Sequence, residues 1–99
     1  MQLTKIARDY ATQMFAQGFF AHNDLSGKTP MERFVETKIS FQAMGENLAL
    51  APNVQTAHEG LMNSPEHKEN ILSPDYTRVG IGVMDGRYYG KMFVQEFAD

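Results

Sequence analysis

Leu3, Ile6, Ala7, Tyr10, Ala11, Met14 and Phe15 recur at steps of three and four. That spacing predicts an amphipathic helix with one apolar stripe, and Gly18 is its expected C-terminal stop. Phe19-Phe20-Ala21-His22 leads into a polar loop over residues 23–28. Thr29-Pro30-Met31-Glu32 predicts a capping box with proline in the first helical position. The second helix is short, should bury Met31, Phe34 and Val35, and ends near Thr37 and Lys38. From Phe41 to Leu50 the period changes to two. Met44, Leu48 and Leu50 fall on one side, and Glu46 falls with them. A carboxylate on an inward face needs a partner or a proton, because an isolated buried charge is very costly.

Asn53 is the expected N-cap of a third helix with the stripe Val54, Ala57, His58, Leu61 and Met62. His58 reads as a histidine at a core edge. His58-Glu59 begins like a zinc-peptidase helix, but Met62 stands where that motif needs its second histidine. Ser64-Pro65 opens a further helical turn, with Ser64 read as its capping residue, and the turn carries Glu66, His67 and Glu69. In the last third, Val79, Ile81 and Val83 alternate with Arg78, Gly80 and Gly82. Asp85-Gly86 predicts a two-residue hairpin, with a return strand from Arg87 to Phe97. On that strand Tyr88, Met92 and Val94 share one side, and Tyr89, Phe93 and Phe97 the other. Apolar groups on both sides predict a sheet covered on both faces. Helices followed by a terminal hairpin give an α+β layered domain.

The 99 residues suffice for one domain. Net charge is −3, and no stretch is basic enough to track a phosphate backbone, which argues against nucleic acid as a partner. No apolar run approaches the roughly 20 residues of a membrane-spanning helix. There is no cysteine, so neither disulfides nor a thiolate metal site are available. The seven methionines read mostly as core filler. The start of the chain carries no signal-peptide pattern. It opens directly inside a helical pattern, so we expect a domain trimmed at its N-terminus.

Three polar residues are unexplained by helix faces: His22, Glu46 and His67. Two imidazoles and a carboxylate suit a divalent metal such as zinc with one open position, and they equally suit an acid–base set. They are also readable as three separate residues, since their spacing matches no local motif. Nucleophilic catalysis has little support. Gly-x-Ser-x-Gly is absent, and the capping role accounts for Ser64. Glu66 and Glu69 are expected on the solvated side of their turn.

Phe19-Phe20-Ala21-His22, Gly45-Glu46-Asn47-Leu48-Ala49 and Asn63-Ser64-Pro65-Glu66-His67-Lys68-Glu69-Asn70-Ile71-Leu72 occur in that order. Val79-Gly80-Ile81-Gly82-Val83 and Val94-Gln95-Glu96-Phe97-Ala98 follow. Together they resemble the bacterial branch of the CAP superfamily, the SCP domain of cysteine-rich secretory proteins, antigen 5 and pathogenesis-related proteins. The resemblance covers nearly the whole chain. It implies an α-β-α sandwich with a three-stranded antiparallel sheet between helical layers. It also implies an extracellular or cell-envelope location and a cavity containing His22, Glu46 and His67. Zinc or another divalent cation would sit on His22 and His67. The family's second cavity glutamate falls near Leu61 to Ser64, where this chain has no acid, and Glu66 is the candidate to replace it. The family's first helix has no counterpart here, which predicts exposed apolar surface on the Leu3–Phe15 helix. Two functions follow. One is a binding module for a small molecule, an apolar ligand or a protein. The other is a zinc-dependent hydrolase with His22 and His67 as ligands and Glu46 as general base.

Overall fold

The computed structural model describes residues 2–99, apart from the side chain of Tyr89; the reading of that side chain and of Met1 lies outside the described residues. The order is α1 (Gln2–Gln17), α2 (Pro30–Glu36), β1 (Met44–Ala51), α3 (Val54–Met62), α4 (Pro65–Leu72), β2 (Arg78–Asp85) and β3 (Lys91–Ala98). The strands form one antiparallel sheet in the order β1-β3-β2, so the last strand lies in the middle. Register pairs Glu46 with Glu96 and Leu48 with Val94 on one side, and Gly80 with Glu96 and Gly82 with Val94 on the other.

Helix α1 packs on the face that carries Glu46, Leu48, Val94 and Glu96. Its whole stripe from Leu3 to Met14 is buried, and only Phe15 stands out at 40% exposure. Glycine in β2 permits this close approach. A Cβ on Gly80 would lie 2.1 Å from the Leu3 carbonyl carbon, and one on Gly82 would lie 2.3 Å from that of Ala7. The opposite face meets α3, where Ala51, Ala57 and Phe93 form a small core. Helix α4 sits beside it on β1. Helices thus lie on both faces of the sheet, with the second face covered in part.

The structure corrects several local expectations. Helix α2 keeps its capping box, with Thr29 Oγ1 accepting from the Glu32 N–H at 3.2 Å. It buries Phe34 and Arg33 but leaves Met31 and Val35 more than half exposed. Seven residues present only one edge to the core, and Arg33 takes the inward place because it has an anion to meet. The Asp85-Gly86 hairpin is not a two-residue turn. Residues 87–89 form a single 3-10 turn, and the return strand starts at Lys91. The Gly86 N–H donates to the Gly90 carbonyl at 2.8 Å, and Asp85 Oδ1 accepts from the Arg87 N–H at 2.9 Å. Arg87 and Gly90 both adopt positive φ to close the wider loop.

The exposed apolar surface lies elsewhere than expected. The α1 stripe is covered, whereas Val79, Ile81 and Val83 are 43–48% exposed on the far face of β2. Covering of that face reaches β1 and β3 but not the β2 edge. In α3, Asn53 caps as expected, accepting from the Thr56 N–H at 2.8 Å. Ala57 and Leu61 are buried, while Val54 and His58 face solvent.

Candidate functional site

The inward carboxylate of β1 anchors a polar cluster beneath α1. Glu46 is 7% exposed. One of its oxygens meets His22 Nδ1 at 2.8 Å, and the other accepts from Arg33 Nη2 at 2.6 Å. The Arg33 guanidinium lies over the Tyr10 ring, 3.4 Å from its centroid. Arg33 Nη1 donates to the His22 carbonyl at 3.0 Å, and the Tyr10 hydroxyl donates to the same carbonyl at 3.0 Å and to that of Ala21. Burial pushes the Tyr10 phenol up to about 12 against the opposing Arg33 charge. The bond to Glu46 raises His22 above its ordinary value, partly offset by burial. Burial works against the Glu46 carboxylate, but the His22 bond, the neighbouring Glu96 acid and the Arg33 charge outweigh that and hold its pKa low.

Glu96 faces Glu46 from β3 and is the residue that reading the sequence missed. It is fully buried, and neither oxygen has a partner within hydrogen-bond geometry. Burial, then the neighbouring Glu46 carboxyl, push it up to about 10, in the direction that favours the neutral acid. A signal was present. Glu96 stands two residues from Val94, on the side of β3 already assigned to the core. The second carboxyl beside Glu46 therefore comes from β3. Glu66, in the first turn of α4, and Glu69, farther along the same helix, are both exposed.

His67 is placed by a second network on the other face of β1. Asn47 is fully buried and donates to the His67 carbonyl at 3.0 Å and to Gln95 Oε1 at 3.1 Å. Asn70 Nδ2 donates to Asn47 Oδ1 at 2.8 Å. These bonds seat α4 on the sheet, so successive residues of Gly45-Glu46-Asn47 serve opposite faces. Ser64 occupies the N-cap position, yet its side chain makes no capping bond. Its hydroxyl instead meets His67 Nδ1 at 2.9 Å. That corrects the capping role read from sequence.

Of the three polar residues singled out, the structure joins His22 and Glu46 directly. His67 makes no hydrogen bond to either. Among the described residues, no three His, Cys, Asp or Glu side chains assemble as a metal-holding group. His22 Nδ1, His67 Nδ1 and both Glu46 oxygens make hydrogen bonds, which leaves Nε2 of each imidazole as the remaining donor atom. A divalent ion on His22 and His67 would have to use those Nε2 atoms, with Glu46 orienting the His22 ring through Nδ1.

Beside these networks runs an apolar groove. A cavity of about 500 Å³ is lined by Phe15, Gly18, Phe19, Phe20, Leu50 and Met92. A second, of about 410 Å³, extends from Phe20 and Leu50 past Thr56, Gly60 and Leu61 to Ser64 and His67. Phe20 and Leu50 line both, and each is more than 40% exposed. The polar cluster holds the backbone of Ala21 and His22, immediately after the two phenylalanines of the groove wall.

A family model for the cysteine-rich secretory protein family, CAP, matches residues 1–97. An uncharacterized Bacillus subtilis protein, YkwD, is 29% identical over 96% of this chain, and the B. subtilis uncharacterized membrane protein YlbC is 31% identical over 94%. The chain spans only 36% and 27% of those two proteins. An extracellular SCP-domain protein from Bacillus anthracis superposes with TM-score 0.86 at 29% identity, covering 99% of this chain and 32% of that one. An outer surface protein of Borrelia burgdorferi does so with TM-score 0.89 at 29% identity, covering 98% and 72%. No described helix is long and apolar enough to cross a membrane.

Proposed function

The chain belongs to the cysteine-rich secretory protein (CAP) family, and we propose that it is an extracellular or cell-envelope binding module that takes its ligand in the groove between Phe15 and His67. The observation that carries this reading is the pair of apolar cavities meeting at Phe20 and Leu50. Contiguous apolar surface left open in this way marks interaction and ligand sites. The location is supported by the extracellular and outer-surface relatives.

In this reading the His22–Glu46–Arg33–Tyr10 cluster is a positioning device. It fixes the carbonyls of Ala21 and His22, and so presents Phe19 and Phe20 to the groove. Burying charge there is tolerated because each charged group meets an opposite one or carries its proton.

The test is fluorescence titration with a dansyl-labelled undecanoic acid. Saturable binding is expected, weakened roughly tenfold (about 1.4 kcal/mol) in Phe20→Ala. Absence of saturable binding to the folded protein overturns the reading. So does turnover of p-nitrophenyl acetate that Ser64→Ala or Glu46→Gln abolishes. So does stoichiometric zinc lost in both His22→Ala and His67→Ala.

A further inference from the structure

Strand β1 is an edge strand, and Leu48 to Ala51 line one of the two groove cavities. The direction of its backbone groups follows from its neighbours. The Asp99 N–H donates to the Ala43 carbonyl, so odd-numbered residues of this segment bond inward to β3. The Met44 carbonyl accepts from the Tyr76 hydroxyl at 2.9 Å, and the Glu46 carbonyl from Asn70 Nδ2 at 3.4 Å, both on the outer side. Even-numbered residues therefore point their N–H and C=O outward. By the same alternation, Leu48 and Leu50 present two donors and two acceptors to the groove. Among the described residues none of these four groups meets a protein partner, whereas the outward carbonyls of Met44 and Glu46 are already closed.

We propose that the edge of β1 at Leu48–Ala51 accepts an extended peptide by strand addition. The inference rests on the groove being the binding surface and names its occupant. Unpaired edge groups are a template for another strand, and backbone bonds supply affinity while flanking pockets select side chains. The two cavities fit that division. One lies toward α1, between Phe15 and Met92, and the other toward α3 and α4, between Thr56 and His67. Side chains of an added strand alternate between faces, so neighbouring residues would enter opposite cavities. The open edge is about 13 Å long at 3.3 Å per residue. It suits three or four residues of peptide, with apolar side chains. An acyl chain would use the same cavities and leave the backbone groups of Leu48 and Leu50 unpaired.

Amide hydrogen exchange by NMR decides between them, using a capped Lys-Val-Val-Val-Val-Lys hexapeptide, its backbone N-methylated counterpart and the dansyl undecanoic acid. The peptide should slow exchange at Leu48 and Leu50 and leave Ala49, already bonded to β3, unchanged. N-methylation should abolish this. Leu50→Pro removes the outward donor without touching the β1–β3 ladder, and Leu50→Ala keeps that donor. The proline variant should bind the peptide about fivefold more weakly than the alanine variant, the worth of one hydrogen bond. If the fatty acid binds and the peptide does not, strand addition is overturned and the groove survives as a binding surface. Equal binding of the N-methylated peptide overturns it in the same way. If neither probe binds, both readings fall.

Discussion

Glu46 and Glu96 face each other across the β1–β3 ladder, and burial beside Glu46 pushes Glu96 up while His22 and Arg33 hold Glu46 low. One guanidinium lies within reach of the pair. Two carboxylates there would leave a net negative charge in the core, so one keeps its proton.

Glu96→Gln should therefore be tolerated, since glutamine imitates the neutral acid. Its signature is in the pH dependence. The folded pKa of Glu96 is raised, to about 10, so folding holds a proton that the unfolded chain releases. Stability from this group is complete below about pH 4.5 and lost as pH rises toward 10, with a slope of at most about 1.4 kcal/mol per pH unit. Thermal melts from pH 5 to pH 9 should show wild type falling faster than Glu96→Gln. Parallel curves would mean that Glu96 is ionised in the fold.

Glu46→Gln removes the partner of Arg33, but Glu96 can then ionise and take its place. The single variant should lose about 1–3 kcal/mol in urea unfolding. Adding Glu96→Gln leaves Arg33 buried without an anion, and the loss should reach about 3–5 kcal/mol. Additive losses would rule out the takeover.

The raised pKa of His22 comes from Glu46 before anything else. NMR titration of the imidazole in Glu46→Gln should return it toward about 6.5. The ring is half exposed, so the change belongs to the titration curve, with little effect on stability. A value unaltered by the substitution would remove Glu46 as the cause.

Two glycines should respond in opposite directions. Gly80→Ala drives a Cβ into the α1 backbone and should unfold the protein or cost more than about 3 kcal/mol. Gly60, inside α3 with open space around it, should gain up to about 1 kcal/mol as alanine. Comparison of the two melting temperatures checks both.

Much of this arrangement was legible in the sequence. Period two placed Glu46 inward, and period 3.6 gave the buried stripe of α1. Stop and cap signals located Gly18, Thr29 and Asn53. Other features depend on tertiary contacts that no local pattern encodes. Met31 and Val35 carry an apolar signal, but Arg33 won the inward position through its bond to Glu46. Ser64 has the composition of a cap, and its hydroxyl went to His67. Asp85-Gly86 signals a tight turn, yet the loop widened to let Gly90 close on Gly86. Glu96 was hidden by its strand. Glu46 stood out on the one apolar side of its strand, whereas β3 carries apolar residues on both sides, so its pattern did not single out the side that holds Glu96.

Tyr10 has a practical consequence. The chain has no tryptophan, so tyrosine is its intrinsic fluorophore. Tyr10 lies under the Arg33 guanidinium and meets Phe19 edge-on, with ring centroids 6.0 Å apart. Phe19 in turn lines the groove. Tyr10 thus joins the buried ion network to the open surface, and it is one of four tyrosines whose emission needs no label.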